Sequence, residues 1–132
     1  MTSSNLLPSR GKKTILCIDD EPSCLRFYRL LFEDAGYDVA SFTDALSGLE
    51  YFSSAHVDLA VLDYSMPRAD GADAARAIRR IKPGFPIIMI SGRPECPGDA
   101  RNWVNVYLMK VRDFEELPRQ VEKLLAAETR VA

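Results

Sequence analysis

The sequence predicts a single α/β domain in which a parallel sheet of five strands carries helices on both faces. Short apolar runs of strand length alternate with segments whose apolar residues recur at helical spacing, and such alternation is typical of a parallel sheet. A chain of 132 residues, 47% hydrophobic and 27% charged, has the size and composition of one folded domain. Five strand–helix units in so short a chain fit a doubly wound sheet.

The first predicted strand, helix and second strand follow one another near the N-terminus. Residues 14–18 are apolar and rich in β-branched side chains, which favours a strand. Pro22 suits the first turn of a helix, and Gly36 is a typical residue for its C-terminal end. Residues 37–42 form the second short strand.

The middle of the chain places a buried strand between two helices. Thr43 or Asp44 can cap the first of these helices. Residues 57–62 are a nearly unbroken apolar run, as expected of a strand that is covered on both faces. The second helix runs from about residue 72 to residue 81, where a Pro-Gly pair ends it.

The last third of the chain contains two further strands, at residues 86–90 and 104–109, and a final amphipathic helix at residues 114–127. Pro94 and Pro97 stand in the connection between these two strands. Because proline inside a helix costs about 3 kcal/mol or more, we expect the helix of this connection, the fourth in the chain, to be short, irregular or absent.

Charge and composition exclude several classes of function. The net charge of −2 provides no extended basic field, which argues against direct binding to nucleic acid. No apolar run approaches the length of a membrane span, and three cysteines without metal-ligand spacing favour reduced, cytoplasmic thiols. We therefore expect a cytoplasmic domain at residues 12–127, between a flexible N-terminal tail (1–11) and a C-terminal tail (128–132).

Polar side chains stand at the carboxyl ends of four predicted strands. They are Asp19 and Asp20 after the first strand, Asp63 after the third, Ser91 after the fourth and Lys110 after the fifth. Because the carboxyl ends of parallel strands share the edge at which ligands bind, we expect these side chains to converge. A carboxylate that ends a buried strand, as Asp63 does, must be solvated, paired or metal-bound.

This combination of residue types suits phosphoryl transfer. Three neighbouring carboxylates repel one another unless a cation lies among them, and oxygen ligands suit Mg²⁺. Lys110 supplies a mobile positive charge for a phosphoryl group, and the Ser91 hydroxyl can donate to a phosphoryl oxygen. We therefore expect Asp63 to accept a phosphoryl group. Singly, most of these residues are more often ordinary loop residues, and only the set indicates a site.

The motifs resemble the receiver domain of two-component response regulators, of the stand-alone, chemotaxis-regulator type. The matching segments are residues 15–21, 58–67 with Asp70-Gly71, 86–92 and 107–110. The resemblance implies a flavodoxin-like strand order, 2-1-3-4-5. It also implies that a sensor histidine kinase or phosphotransfer protein donates the phosphoryl group from a phosphohistidine, that an unknown output protein binds the switched surface, and that a homodimer is possible.

The same resemblance assigns a role to each site residue. Four residues would hold Mg²⁺: Asp20 and Asp63 directly, Ser65 through its backbone carbonyl, and Asp19 through a water molecule. Ser91 and Lys110 would bind the phosphoryl oxygens. Tyr107 falls where the family has an aromatic switch coupled to the Ser91 hydroxyl, the alternative being an ordinary half-buried strand tyrosine.

The chain departs from the family pattern at two places. Val111 follows Lys110 where the family usually has proline, often after a cis peptide bond. A cis bond before valine would cost about 2.5–4 kcal/mol, so we predict a trans bond and a shifted loop. The second departure is residues 93–99, in a region that the family commonly uses for partner binding. The resemblance therefore does not predict how this chain recognises its output partner.

Two alternatives to a phosphoacceptor switch remain open at this point. The first is a receiver-fold binding module that acts without phosphorylation, against which the complete set of polar residues speaks. The second is a Mg²⁺-dependent phosphohydrolase with Asp63 as its nucleophile. Such an enzyme of the haloacid-dehalogenase type would have a second acid two residues later, where this chain has Ser65. We therefore expect no enzyme activity beyond self-catalysed phosphorylation and dephosphorylation.

Overall fold

The computed structural model describes residues 11–67 and 70–131, with side chains as far as residue 127. Its five-stranded parallel sheet has the order β2-β1-β3-β4-β5, which confirms the predicted fold. The strands are β1 (Thr14–Ile18), β2 (Asp38–Phe42), β3 (Leu59–Asp63), β4 (Ile87–Ser91) and β5 (Val106–Met109). The helices are α1 (Pro22–Asp34), α2 (Ala45–Ser54), α3 (Gly71–Ile81) and α4 (Leu117–Val131).

Alternate residues of the strands supply two cores, one on each face of the sheet. Ile15 and Cys17 of β1 point to the face covered by α1 and α4, where they join Phe32 and Val121. Leu16 and Ile18 point to the opposite face, which α2 and α3 cover. The strands therefore read as unbroken apolar runs because both of their faces are buried.

The connection between β4 and β5 contains a single 3₁₀ turn, Arg101–Trp103, in the place of a regular helix. This confirms the prediction drawn from Pro94 and Pro97. The turn is held from α3, because the Arg79 guanidinium donates to the Trp103 carbonyl at 3.2 Å and to Asn105 Oδ1 at 2.8 Å. Asn105 Oδ1 also accepts from the backbone N–H of Ile87 at 2.8 Å, which joins the connection to the start of β4.

The strands and α3 begin and end within two residues of their predicted bounds, and the structure corrects or refines three further features. Asp44, not Thr43, caps α2, because its side chain accepts from the backbone N–H of Ser47 at 2.8 Å. The last helix begins at Leu117, after a 3₁₀ turn at Phe114–Glu116. Its helical backbone continues to Val131, so most of the segment predicted as a C-terminal tail (128–132) is an extension of α4.

Residues 1–10 of the predicted N-terminal tail lie outside the described residues. Among the residues that are described, no helix combines the length and the apolar composition needed to cross a membrane.

Candidate functional site

Three carboxylates converge at the carboxyl edge of the sheet. Asp19 is fully buried beyond the end of β1, Asp63 is 3% exposed at the end of β3, and Asp20 is exposed. One oxygen from each of the three lies within 4.8 Å of the others. The cluster is therefore closed towards the core and opens to solvent beside Asp20.

The ammonium group of Lys110 reaches this cluster from the loop after β5. Its Nζ lies 3.5 Å from Asp63 Oδ2, 3.2 Å from Asp19 Oδ2 and 2.8 Å from Glu21 Oε1. Burial works to lower the pKa of Lys110, but the hydrogen bond to Glu21 and the charges of Asp63 and Asp19 outweigh it and raise the pKa. The lysine therefore remains charged beside the carboxylates.

Burial and neighbouring charge make Asp63 difficult to ionise. Desolvation, then the charge of Asp19 and to a lesser extent that of Asp20, raise the pKa of Asp63 to about 7, while Lys110 and a backbone hydrogen bond from Ser65 act in the opposite direction. One lysine thus does not balance the negative charge of the cluster. A set of carboxylate oxygens with excess negative charge and an open side fits a hard divalent cation such as Mg²⁺.

The loop after Asp63, which carries Ser65, is held by β4 and by the start of α3. The backbone N–H of Tyr64 donates to the Ile90 carbonyl at 2.8 Å, and that of Gly71 donates to the Tyr64 carbonyl at 2.9 Å. A Cβ at Gly71 would lie 2.5 Å from the Asp63 carbonyl oxygen. Glycine is therefore required at this position for the helix to approach the end of the strand so closely.

Ser91 and Tyr107 are connected through the backbone of Arg93. Ser91 ends β4 with 1% exposure, and its hydroxyl oxygen accepts from the Arg93 N–H at 3.2 Å. Tyr107 is half-buried on β5, and its hydroxyl donates to the Arg93 carbonyl at 2.6 Å. A displacement of the Ser91 hydroxyl would therefore disturb the residue that holds the ring of Tyr107.

The loop after Lys110 is tight and contains a strained residue. The Lys110–Val111 peptide bond is trans, as predicted, and Val111 has a φ of 68°. The backbone N–H of Arg112 donates to the Lys110 carbonyl at 2.7 Å, and the Asp113 carboxylate accepts from the Met109 N–H at 2.8 Å. These bonds fix the backbone from which the Lys110 side chain extends.

The structure adds two residues that the sequence analysis missed. Tyr28 of α1, which is 1% exposed, donates its hydroxyl hydrogen to Asp19 Oδ2 at 3.1 Å. Glu21 donates its backbone N–H to Asp19 Oδ1 at 2.9 Å, and the hydrogen bond from Lys110 lowers the pKa of its carboxyl group. Glu21 could have been suspected because it follows the acidic pair, whereas Tyr28 gave no signal beyond its position on the buried side of a helix.

The sequence of the chain matches a known protein family. Residues 15–122 match the family model of the response regulator receiver domain. The chain belongs to this family. The receiver domain of this chain thus has the fold, the strand order and the family that its motifs predicted.

Similar proteins include regulators that are longer than this chain. The alkaline phosphatase synthesis transcriptional regulatory protein PhoP of Bacillus subtilis is 35% identical over 83 residues, which are 63% of this chain and 35% of PhoP. The probable transcriptional regulator ycf27 of Cyanophora paradoxa is 36% identical over 122 residues, which are 87% of this chain and 49% of that protein. The receiver domain thus spans less than half of the length of these relatives.

A solved structure of similar length is that of the response regulator TrrA of Thermotoga maritima in complex with Mg²⁺ and BeF. It is 32% identical, its TM-score is 0.79, and the match covers 86% of this chain and 99% of TrrA. TrrA has also been solved in complex with the histidine kinase ThkA, with 30% identity to this chain, a TM-score of 0.78, and coverage of 86% of this chain and 98% of TrrA.

Proposed function

We propose that this receiver domain accepts a phosphoryl group on Asp63 from a phosphohistidine of a sensor kinase and thereby switches a protein-binding surface. The observation that carries the proposal is the placement of a buried carboxylate at a strand end, with the Lys110 ammonium 3.5 Å from it and two further carboxylates within 4.8 Å. Packing alone gives no reason for this arrangement, since an uncompensated buried charge is costly.

Mg²⁺ is the cofactor of this proposal. Asp20 and Asp63 would hold it directly together with the backbone carbonyl of Ser65, and Asp19 would act through a water molecule. When bound, the ion supplies positive charge that neutralises the carboxylates and the phosphoryl oxygens. The raised pKa of Asp63 and the excess of carboxylates over cationic groups support this assignment.

In the transfer itself, an Asp63 carboxylate oxygen attacks the phosphorus atom. An O–P bond forms, the N–P bond of the phosphohistidine breaks, and its electron pair remains on the imidazole nitrogen. Lys110 and Ser91 then bind the phosphoryl oxygens, where charge-assisted hydrogen bonds are strongest. When the Ser91 hydroxyl turns to the phosphoryl group, the N–H of Arg93 loses its acceptor, and Tyr107 responds as the switch residue because its hydroxyl is bonded to the Arg93 carbonyl.

The partners follow from the same chemistry. We infer that a cytoplasmic sensor histidine kinase or phosphotransfer protein is the donor, which the complex between TrrA and the histidine kinase ThkA supports. The output partner is a protein that distinguishes the two states of the surface near Tyr107, or a second copy of the domain. Nucleic acid is not a direct partner of the domain in this proposal, because its net charge is −2.

Intact-mass spectrometry after incubation with acetyl phosphate or phosphoramidate tests the proposal. Phosphoramidate contains an N–P bond and therefore represents the phosphohistidine more closely. We expect the wild-type chain to gain the mass of one phosphoryl group in the presence of Mg²⁺ and not in EDTA. Asp63→Asn should not be labelled, whereas Asp99→Asn, which neutralises an exposed carboxylate outside the cluster, should be labelled like the wild type.

Two results would contradict the assignment. Labelling that persists in Asp63→Asn would place the phosphoryl group on another residue. No labelling of the wild-type chain by either donor, with Mg²⁺ present, would favour the binding module that acts without phosphorylation.

A further inference from the structure

Glu21 is the acid closest to the ammonium group of Lys110, although it is not among the residues proposed to bind Mg²⁺ or the phosphoryl group. The distance from Lys110 Nζ to Glu21 Oε1 is 2.8 Å, against 3.2 Å to Asp19 Oδ2 and 3.5 Å to Asp63 Oδ2. The lysine of the site is thus engaged most closely by a carboxylate that lies outside the phosphoacceptor cluster.

The position of Glu21 is well defined by its surroundings. It precedes the first residue of α1 in an extended conformation, and its side chain makes no capping hydrogen bond to the helix. Its backbone N–H is bonded to Asp19, and its Oε1 atom, which faces Lys110, also accepts from the Cys24 thiol at 3.5 Å. The side chain is therefore directed towards the lysine rather than used as a helix cap.

The two ends of this ion pair differ in exposure. The Lys110 side chain is 15% exposed, whereas that of Glu21 is 58% exposed. Glu21 thus draws the ammonium towards the solvent side, while Asp63, at 3% exposure, lies on the buried side. Because a lysine ammonium is a compact charge on a flexible stem, its position depends on the balance between these carboxylates.

We propose that Glu21 is a positioning residue that holds Lys110 away from the place it takes against a phosphoryl group on Asp63. This inference rests on the phosphoacceptor function proposed above. A phosphoryl group on Asp63 must compete with Glu21 for the ammonium, so Glu21 favours the unphosphorylated state. Ion pairs with one exposed partner are weak, so the bias corresponds to a factor of about two to five in affinity for a phosphoryl group.

Beryllofluoride is an analogue of the phosphoryl group, so its affinity for the chain measures the effect of Glu21 without any phosphoryl transfer. The full chain and its variants are titrated with beryllium fluoride at saturating Mg²⁺, with binding followed by NMR, and Mg²⁺ affinity is measured separately for each variant. Glu21→Gln removes the charge, and Glu21→Asp keeps the charge but shortens the side chain so that it no longer reaches Lys110. Glu116→Gln, which neutralises a comparably exposed carboxylate paired with Arg119, is the matched control.

We expect Glu21→Gln and Glu21→Asp to bind beryllofluoride about two to five times more tightly than the wild type, and Glu116→Gln to bind unchanged. Wild-type affinity in Glu21→Gln would overturn the inference. The inference would also be overturned if Glu21→Asp bound beryllofluoride like the wild type while Glu21→Gln bound it more tightly. The effect would then come from the negative charge near the metal site and not from the contact with Lys110. If wild-type protein binds no beryllofluoride and gains no phosphoryl group, the proposed function itself fails.

Discussion

At the scale of single residues, the burial of Asp63 beside other carboxylates has a cost in stability. Its pKa in the folded chain is about 7, against about 3.9 in an unfolded chain. A group whose folded-state pKa is raised contributes stability below its unfolded pKa, and this contribution is lost as the pH rises through the folded pKa. In metal-free buffer, Asp63 should therefore destabilise the domain increasingly between about pH 4 and pH 7.

Asp63→Asn removes this ionisation and should stabilise the metal-free domain. We expect its free energy of unfolding to exceed that of the wild type by about 1–3 kcal/mol at about pH 8 and by clearly less at about pH 5. Urea unfolding at the two pH values measures the difference, and Asp99→Asn is the control. A stabilisation of the same size at both pH values would show that the ionisation of Asp63 is not its cause.

Val111 provides a second prediction at this scale. It is a β-branched residue with a φ of 68° and 78% exposure, so its backbone is strained and its side chain contributes little burial. Val111→Asn and Val111→Gly should each raise the free energy of unfolding by about 1 kcal/mol, because these residues tolerate the left-handed region. Val111→Ile keeps the branching and should give no gain. Thermal unfolding tests this, and equal stability of all three variants would contradict the argument from strain.

At the scale of elements, the local sequence predicted the absence of a regular helix between β4 and β5 more easily than the structure of the segment that takes its place. Pro94 and Pro97 were sufficient to predict that no regular helix follows β4. The contacts that hold this segment in place could not be predicted, since Arg79 and Asn105 are 26 residues apart in sequence and their pairing depends on how α3 packs beside the 3₁₀ turn at Arg101–Trp103. Long-range polar contacts of this kind leave no periodicity in the sequence.

The Asn105 side chain provides a test of how the segment between β4 and β5 is held in place. Its Oδ1 atom is the shared acceptor for Ile87 and Arg79, so Asn105→Ala leaves a partly buried backbone N–H of β4 without a partner. We expect a loss of about 1–2 kcal/mol in the free energy of unfolding. Asn105→Asp keeps an acceptor and should lose less, and Asn102→Ala in the preceding 3₁₀ turn is the control. Equal losses in both alanine variants would indicate a general effect on the segment.

The close approach of α3 to β3 at Gly71 leads to a second prediction at this scale. Gly71→Ala places a Cβ 2.5 Å from the Asp63 carbonyl oxygen and 2.8 Å from Tyr64 Cα, so backbone must move. We expect a destabilisation of about 1–3 kcal/mol, measured by urea unfolding, with slower labelling by acetyl phosphate because the loop beside Asp63 shifts. Gly92→Ala meets no atom within 4 Å and should remain as stable as the wild type. Equal stability of the two variants would contradict the packing argument.

At the scale of the whole molecule, the fold was predictable because one rule governs the entire sheet. Strands buried on both faces read as apolar runs, their connections are helical, and a polar residue at each strand end must then reach the same edge. The candidate residues Asp19, Asp20, Asp63, Ser91 and Lys110 were predicted in this way. The contact between Glu21 and Lys110 was not predicted, because it depends on the position of a flexible side chain 89 residues later in the sequence.

If the same edge binds Mg²⁺ as proposed, the stability of the whole molecule depends on Mg²⁺ and pH together. The carboxylates come from the loop after β1 and from the last residue of β3, so they form a site only in the folded chain. A ligand that binds only the folded state stabilises it by about 1.4 kcal/mol at tenfold its Kd. Protons compete with the metal for Asp63, whose pKa is about 7. MgCl₂ should therefore raise the midpoint of thermal unfolding more at about pH 8 than at about pH 6, and little in Asp63→Asn. An equal rise at both pH values, or a full rise in Asp63→Asn, would mean that Mg²⁺ binds elsewhere.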